Sequence, residues 1–120
     1  MSEEIDAVHL VGLLCRRATE DLKRAKELPY TSEALNLVIH AQNIILELHN
    51  GVDDSHGELS KGLVLFFEVL HHNLMDAVKD ENLFTANIVQ VLGTLEPLTE
   101  SWENFIVGLD RPAQQLALVK

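Results

Sequence analysis

The stretch FTANIVQVLGTLEPLTESWENF, residues 84–105, decides the fold. Phe84, Ile88, Val91, Leu95, Leu98, Trp102 and Phe105 recur in steps of four and three, the spacing that gathers side chains on one face of an α-helix. The run begins near Asn82 and reaches about Val107, where Gly108 and then Pro112 mark its end. Pro97 stands inside it. That residue lacks a backbone donor and its ring presses on the carbonyl of Gly93, four residues back, so a kink is expected there. The rhythm keeps its phase across the proline, which predicts one bent helix instead of two.

Working outward, three more segments carry the same rhythm. From about Ser2 to Leu28, Val8, Val11, Cys15, Ala18, Leu22 and Ala25 form a seam that Pro29 stops. Ser2 can cap its start, and Glu3, Glu4 and Asp6 suit the positive end of a helix dipole. From about Ser32 to His49 the seam is Ala34, Val38, Ala41, Ile45 and Leu48, with Thr31 or Ser32 as cap and Asn50-Gly51 as stop. A short polar loop, Val52 to Ser55, follows. From about Gly57 to Val78, Leu59, Leu63, Phe66, Leu70, Leu74 and Ala77 share one side. No strand pattern competes. Four helices of similar length with short connections predict an all-α, antiparallel up-down-up-down four-helix bundle, with helices at about 2–28, 32–49, 57–78 and 82–107. The bundle is expected to occupy residues 1–108 as one domain. The tail, 109–120, is too short to be helical on its own strength.

Composition narrows the function. A chain of 120 residues suits one domain, and an apolar fraction of 47% supplies a core. The formal net charge of -10 repels nucleic-acid phosphates and anionic membranes, so neither is expected as a partner. No apolar run approaches the ~20 residues of a membrane span, so membrane insertion is not expected either. Basic charge gathers near the N-terminus at Arg16, Arg17, Lys23, Arg24 and Lys26; between residues 31 and 110 only Lys61 and Lys79 are basic. Such a surface solubilises the chain, or steers a partner with basic patches. One cysteine, Cys15, rules out an internal disulfide and fits a reducing cytoplasm, and the acidic N-terminus does not read as a secretory signal.

A bundle needs one apolar seam per helix, and the second and third helices have more. At ~100° per residue, Leu35, Ile39 and Leu46 lie away from the seam of the second helix, with Gln42 among them. On the third, Val64, Phe67, His71, Met75 and Val78 form a similar row. The fourth has much less: its outer side carries Glu96, Glu100, Glu103 and Asn104. Two apolar stripes on consecutive antiparallel helices suit an amphipathic helix of another protein. They equally suit a broader core, a self-dimer or cover by a terminal segment.

Catalytic constellations are thin. Glu68 and His71 have the Glu-x-x-His spacing of di-iron bundles, which need two such pairs and two further glutamates. His72 and Asp76 are four apart, and two ligands do not close a metal site. His56 before Lys61-Gly62 has the wrong spacing for a phosphotransfer histidine. Cys15 falls on a seam and reads as core. There is no glycine-rich phosphate loop, no Gly-x-Ser-x-Gly and no paired-cysteine motif. The expectation is a binding protein with no catalytic residue, no metal and no cofactor.

Within the segment from Ala41 to Trp102, Ala41-Gln42-Asn43-Ile44-Ile45-Leu46-Glu47-Leu48 resembles the second helix of the flagellin export chaperone family FliS. Gly57-Glu58-Leu59-Ser60-Lys61-Gly62-Leu63 resembles its Gly-Glu-Ile-Ala-x-Asn-Leu opening of helix three, and Ala77-Val78-Lys79-Asp80 its junction between helices three and four. Trp102 falls where that family places a tryptophan late in helix four. With helix one the likeness covers about nine-tenths of the chain. Departures are Gly62 for the usual asparagine, Val64-Leu65-Phe66-Phe67-Glu68-Val69-Leu70 for a Leu-Tyr-x-Tyr-Met stretch, Pro97, and a first helix that starts almost at once. The resemblance implies a cytoplasmic chaperone that wraps itself in the disordered C-terminal segment of flagellin, blocks premature polymerisation and delivers the subunit to the flagellar type III export apparatus, whose components are implied as further partners. The alternative from the residues alone is a non-catalytic helical adaptor or dimerisation module.

Overall fold

The computed structural model describes residues 2–52 and 57–110, and leaves the side chains of residues 2–8, 59, 109 and 110 undescribed. Among the described residues four helices follow one another with no strand: α1 (Ser2–Lys26), α2 (Ser32–Asn50), α3 (Glu58–Lys79) and α4 (Glu81–Asp110). They close into a ring in which α1 packs on α2 and α4, and α3 packs on α2 and α4. That is the all-α bundle the seams predict. The proposed Ser2 cap, His56, and the tail from 111 onward lie outside the described residues or side chains.

Local chemistry explains the helix ends. Thr31 is the cap of α2: its Oγ1 accepts from the backbone N–H of Ala34 at 3.3 Å, relieving one of the donors every helix start leaves unpaired. Tyr30, just before it, pins the α1–α2 turn to the opposite pair of helices. Its hydroxyl donates to the Val78 carbonyl at 2.8 Å, and its ring meets Phe84 edge-on at 5.2 Å. α4 runs unbroken through Pro97. Pro97 and Gly93 both lie on the exposed side of α4, where solvent can take the place of the missing donor.

The core runs the length of the bundle and includes Leu22, Val38, Ile45, Leu74, Ile88, Val91 and Leu95, none showing any exposure. Two seam assignments shift by one residue. Phe67, expected off the seam, is 5% exposed and belongs to the core, while Phe66 is only partly buried against it. Phe105, expected on the seam, is 54% exposed, and Ile106 turns inward instead. The reason is the same in both places. A step of three and a step of four both stay on one helix face, so Leu63 can be followed by Phe66 or Phe67, and Trp102 by Phe105 or Ile106. Packing takes the step of four each time.

Between α1 and α4 the contact is close and mixed. Thr19 and Thr99 are fully buried with their hydroxyl oxygens 3.1 Å apart. Each also lies 2.8 Å from the carbonyl four residues back, Cys15 for Thr19 and Leu95 for Thr99. With one proton apiece, one hydroxyl can donate across the seam only while the other donates to its own helix. Outside them the Arg16 guanidinium forks onto Glu103, Nη2 at 2.6 Å and Nε at 2.9 Å, and Lys23 pairs with Glu96. Arg16 and Lys23 hold the carboxyls of Glu103 and Glu96 below the usual range, chiefly through those hydrogen bonds. The spacing predicts both glutamates on the outer side of the fourth helix; they form its α1-facing edge.

Gly12 sets how near the two helices come. A Cβ there would stand 2.7 Å from Ile106 Cδ1 and 3.1 Å from Trp102 Cδ1. Alanine for glycine inside a helix ordinarily gains ~1 kcal/mol. Here that gain is expected only when Ile106→Val removes the obstructing Cδ1. A double-mutant cycle of Gly12→Ala and Ile106→Val, read by denaturant unfolding, should show a coupling on the order of 1 kcal/mol. Strictly additive changes would contradict the close approach.

Candidate protein-binding face

Leaving aside Val78 at the end of α3, the eight residues of the two rows expected to meet a partner divide into three groups. Ile39 and Leu46 on α2 are 40% and 41% exposed, large apolar side chains facing water. Leu35, Gln42, Val64, His71 and Met75 are half-buried. Phe67 is in the core and lines the cavity at one end of the bundle, so it is not part of the outward α2–α3 row. The position it vacates on the α3 row is taken by Glu68, one residue on, which is exposed. The row therefore reads Val64, Glu68, His71, Met75, and is more polar than expected.

Two side-chain contacts show that these rows border the same seam. Gln42 Nε2 lies 3.4 Å from His71 Nε2, so the amide donates to the ring of a neutral His71. One or two turns further along, His49 Nε2 lies 3.3 Å from Glu68 Oε1. Gln42 is flanked on α2 by Ile39 and Leu46, three and four residues away, and His71 on α3 by Met75, so apolar side chains sit along a polar-stitched seam. The surface fits a ligand with an apolar stripe and a few polar groups near its middle.

Among the described residues no three of His, Cys, Asp and Glu come together in a way that could hold a metal. Glu68, half of the Glu-x-x-His pair, turns to His49. Cys15 is buried with its thiol pushed up to about 11, by burial first and by the Glu103 charge second, which suppresses the thiolate a nucleophile would need. No described helix is long and apolar enough to cross a membrane.

Comparison with protein families decides the lineage. The model of the family described as flagellar protein FliS matches residues 2–108. The chain belongs to the FliS family. The match spans all four helices, except the last two residues of α4. Comparison with curated proteins and with solved structures gives no match. In this FliS chain the off-seam residues that the helical spacing sets aside for a partner lie on α2 and α3, whereas α1 and α4 spend their facing sides on each other.

Further exposed apolar side chains escaped the sequence reading. Leu65 and Val69 on α3 are 61% and 56% exposed, and Leu10 and Leu13 on α1 are 55% and 67% exposed. The i, i+4 spacing of Leu65 and Val69 was a visible signal, masked by the apolar residues on every side of them. A cavity at one end of the bundle, walled by all four helices, was not visible at all.

His71 supplies a pH test of the seam. Its pKa is lowered from the ordinary 6.5, first by burial and then by the neighbouring His72 and His49 charges. The unfolded chain therefore takes up this proton before the folded chain does. The stability tied to the neutral ring is fully present above 6.5 and is lost as pH falls from there through the lower folded value. His71→Asn should flatten the dependence of unfolding free energy on pH in that window. An unchanged slope would show that His71 is not held neutral by the seam.

Proposed function

We propose that this FliS-family chain is a cytoplasmic export chaperone that binds the disordered C-terminal region of flagellin, keeps it from polymerising early and hands it to the flagellar type III export apparatus. The observation that carries this reading is the family match over residues 2–108. The α2–α3 face supports it independently, because Ile39 and Leu46 hold apolar surface in water where the bundle itself has no use for it. Leu35, Gln42, Val64, His71 and Met75 complete the proposed contact. The protein acts by holding a client; no step of bond making is assigned to it.

Mechanistically, a disordered segment gains by coiling into an amphipathic helix on this face. Ordering the segment opposes binding, and burial of its apolar stripe against Ile39, Leu46, Val64 and Met75 offsets that cost. The strong acidic charge of the chaperone, -10, adds attraction for basic groups on an incoming segment and speeds encounter.

Substitution separates this contact from the fold. Ile39→Asp and Leu46→Asp should each weaken binding of a flagellin C-terminal segment about tenfold to a hundredfold, equivalent to ~1–3 kcal/mol, by calorimetric titration. Both should move unfolding free energy by only about 0.5 kcal/mol, as exposed positions do. Phe67→Asp should instead unfold the domain, since it places a carboxylate in the core. Normal client binding by both α2 variants, or no binding by the unaltered protein, contradicts the proposal.

A further inference from the structure

At the end of the bundle where α1 begins and α4 finishes lies an apolar cavity of about 360 Å³, open to solvent. Leu14, Cys15, Leu63, Phe67, Leu98 and Trp102 line it, and the exposed Glu47 joins its lining. A second apolar cleft shares Leu63 and Leu98 with it and brings Glu58 to the same end. Apolar walls facing water favour any apolar group that can reach them.

The chain holds such a group within reach. Trp102 is on the cavity wall, and α4 ends at Asp110, eight residues or ~12 Å further along its axis. Ten residues follow, Arg111 to Lys120, enough to extend as much as ~33 Å. Pro112 withholds the backbone donor that a straight continuation of α4 would use. Leu116, Ala117, Leu118 and Val119 form a continuous apolar run. Charge points the same way. These ten residues carry two cations, Arg111 and Lys120, and no acidic side chain, whereas the rest of the chain carries seven cations and nineteen carboxylates.

We propose that the C-terminal segment Leu116–Val119 docks into this cavity, with the two tail cations facing the acidic rim at Glu47 and Glu58. The free chain thereby covers its own apolar end. The occupant is intramolecular, and the docking requires no client, so it stands or falls apart from the chaperone reading.

The test uses the full chain without any client. A nitroxide is attached at Leu118→Cys, while the buried Cys15 stays unlabelled. The methyl signals of Leu14, Leu63 and Leu98 should broaden, and that of Val78, beside Tyr30 at the opposite end, should not. Removing residues 111–120 should shift Trp102 emission to the red and raise binding of a hydrophobic dye. Leu116→Asp with Leu118→Asp in the full chain should do the same if the truncated chain does not fold. Absence of selective broadening overturns the proposal, as does unchanged emission and dye binding in the variant that folds. Broadening that arises only when spin-labelled and isotope-labelled chains are mixed also overturns it, because the occupant is then a second copy.

Discussion

Closure of the ring between α1 and α4 is the contact on which the other arrangements depend. Every other neighbouring pair of helices is joined by a short connection, so its packing follows from local chain geometry. α1 and α4 meet only after most of the chain has been threaded between them, and the entropy of that closure has to be offset at their interface. The interface has the means: the near-zero gap at Gly12, the buried Thr19–Thr99 pair and the two-pronged Arg16–Glu103 bond lie within about two turns of each other. Exposed ion pairs contribute little alone, so the close packing supplies most of the stabilisation and the charges select the partner and register.

With that side of the ring closed, α2 and α3 are left to present a face outward. On its outer side the seam between them is stitched by polar contacts, Gln42 to His71 and His49 to Glu68. Polar stitching satisfies the half-buried groups whether or not a ligand is present, while Ile39 and Leu46 stay in water. A face built this way is satisfied in the free protein and still leaves apolar area in water. The placement of Phe67 in the core fits the same division. Its ring, in edge contact with Phe66 at 5.5 Å, fixes the backbone from which Val64, Glu68 and His71 project.

Much of this was legible from residue spacing because a helix bundle writes its core as a repeating three–four rhythm. The four seams, the Thr31 cap, the break at Asn50-Gly51 and the unbroken phase across Pro97 all follow from local rules. The choice between Phe66 and Phe67, or between Phe105 and Ile106, did not, because both members of each pair satisfy the rhythm and only the neighbouring helix decides. Glu96 and Glu103 looked like solvated charges because their partners, Lys23 and Arg16, lie more than seventy residues away in the chain. The Ile39 and Leu46 stripe was legible as surplus apolar surface. The end cavity was not, since it is a property of four helix ends meeting and no single segment encodes it.

The central claim is that the α2–α3 face is where a client segment folds onto this protein. Methyl-resolved NMR tests it most directly: the isotope-labelled chain is titrated with an unlabelled flagellin C-terminal segment to saturation. The account predicts that the methyl signals of Ile39, Leu46, Val64 and Met75 shift strongly while those of Leu13 and Val107, exposed on α1 and α4, hardly move. Shifts concentrated at Leu13 and Val107, or none anywhere at saturating segment, would contradict it.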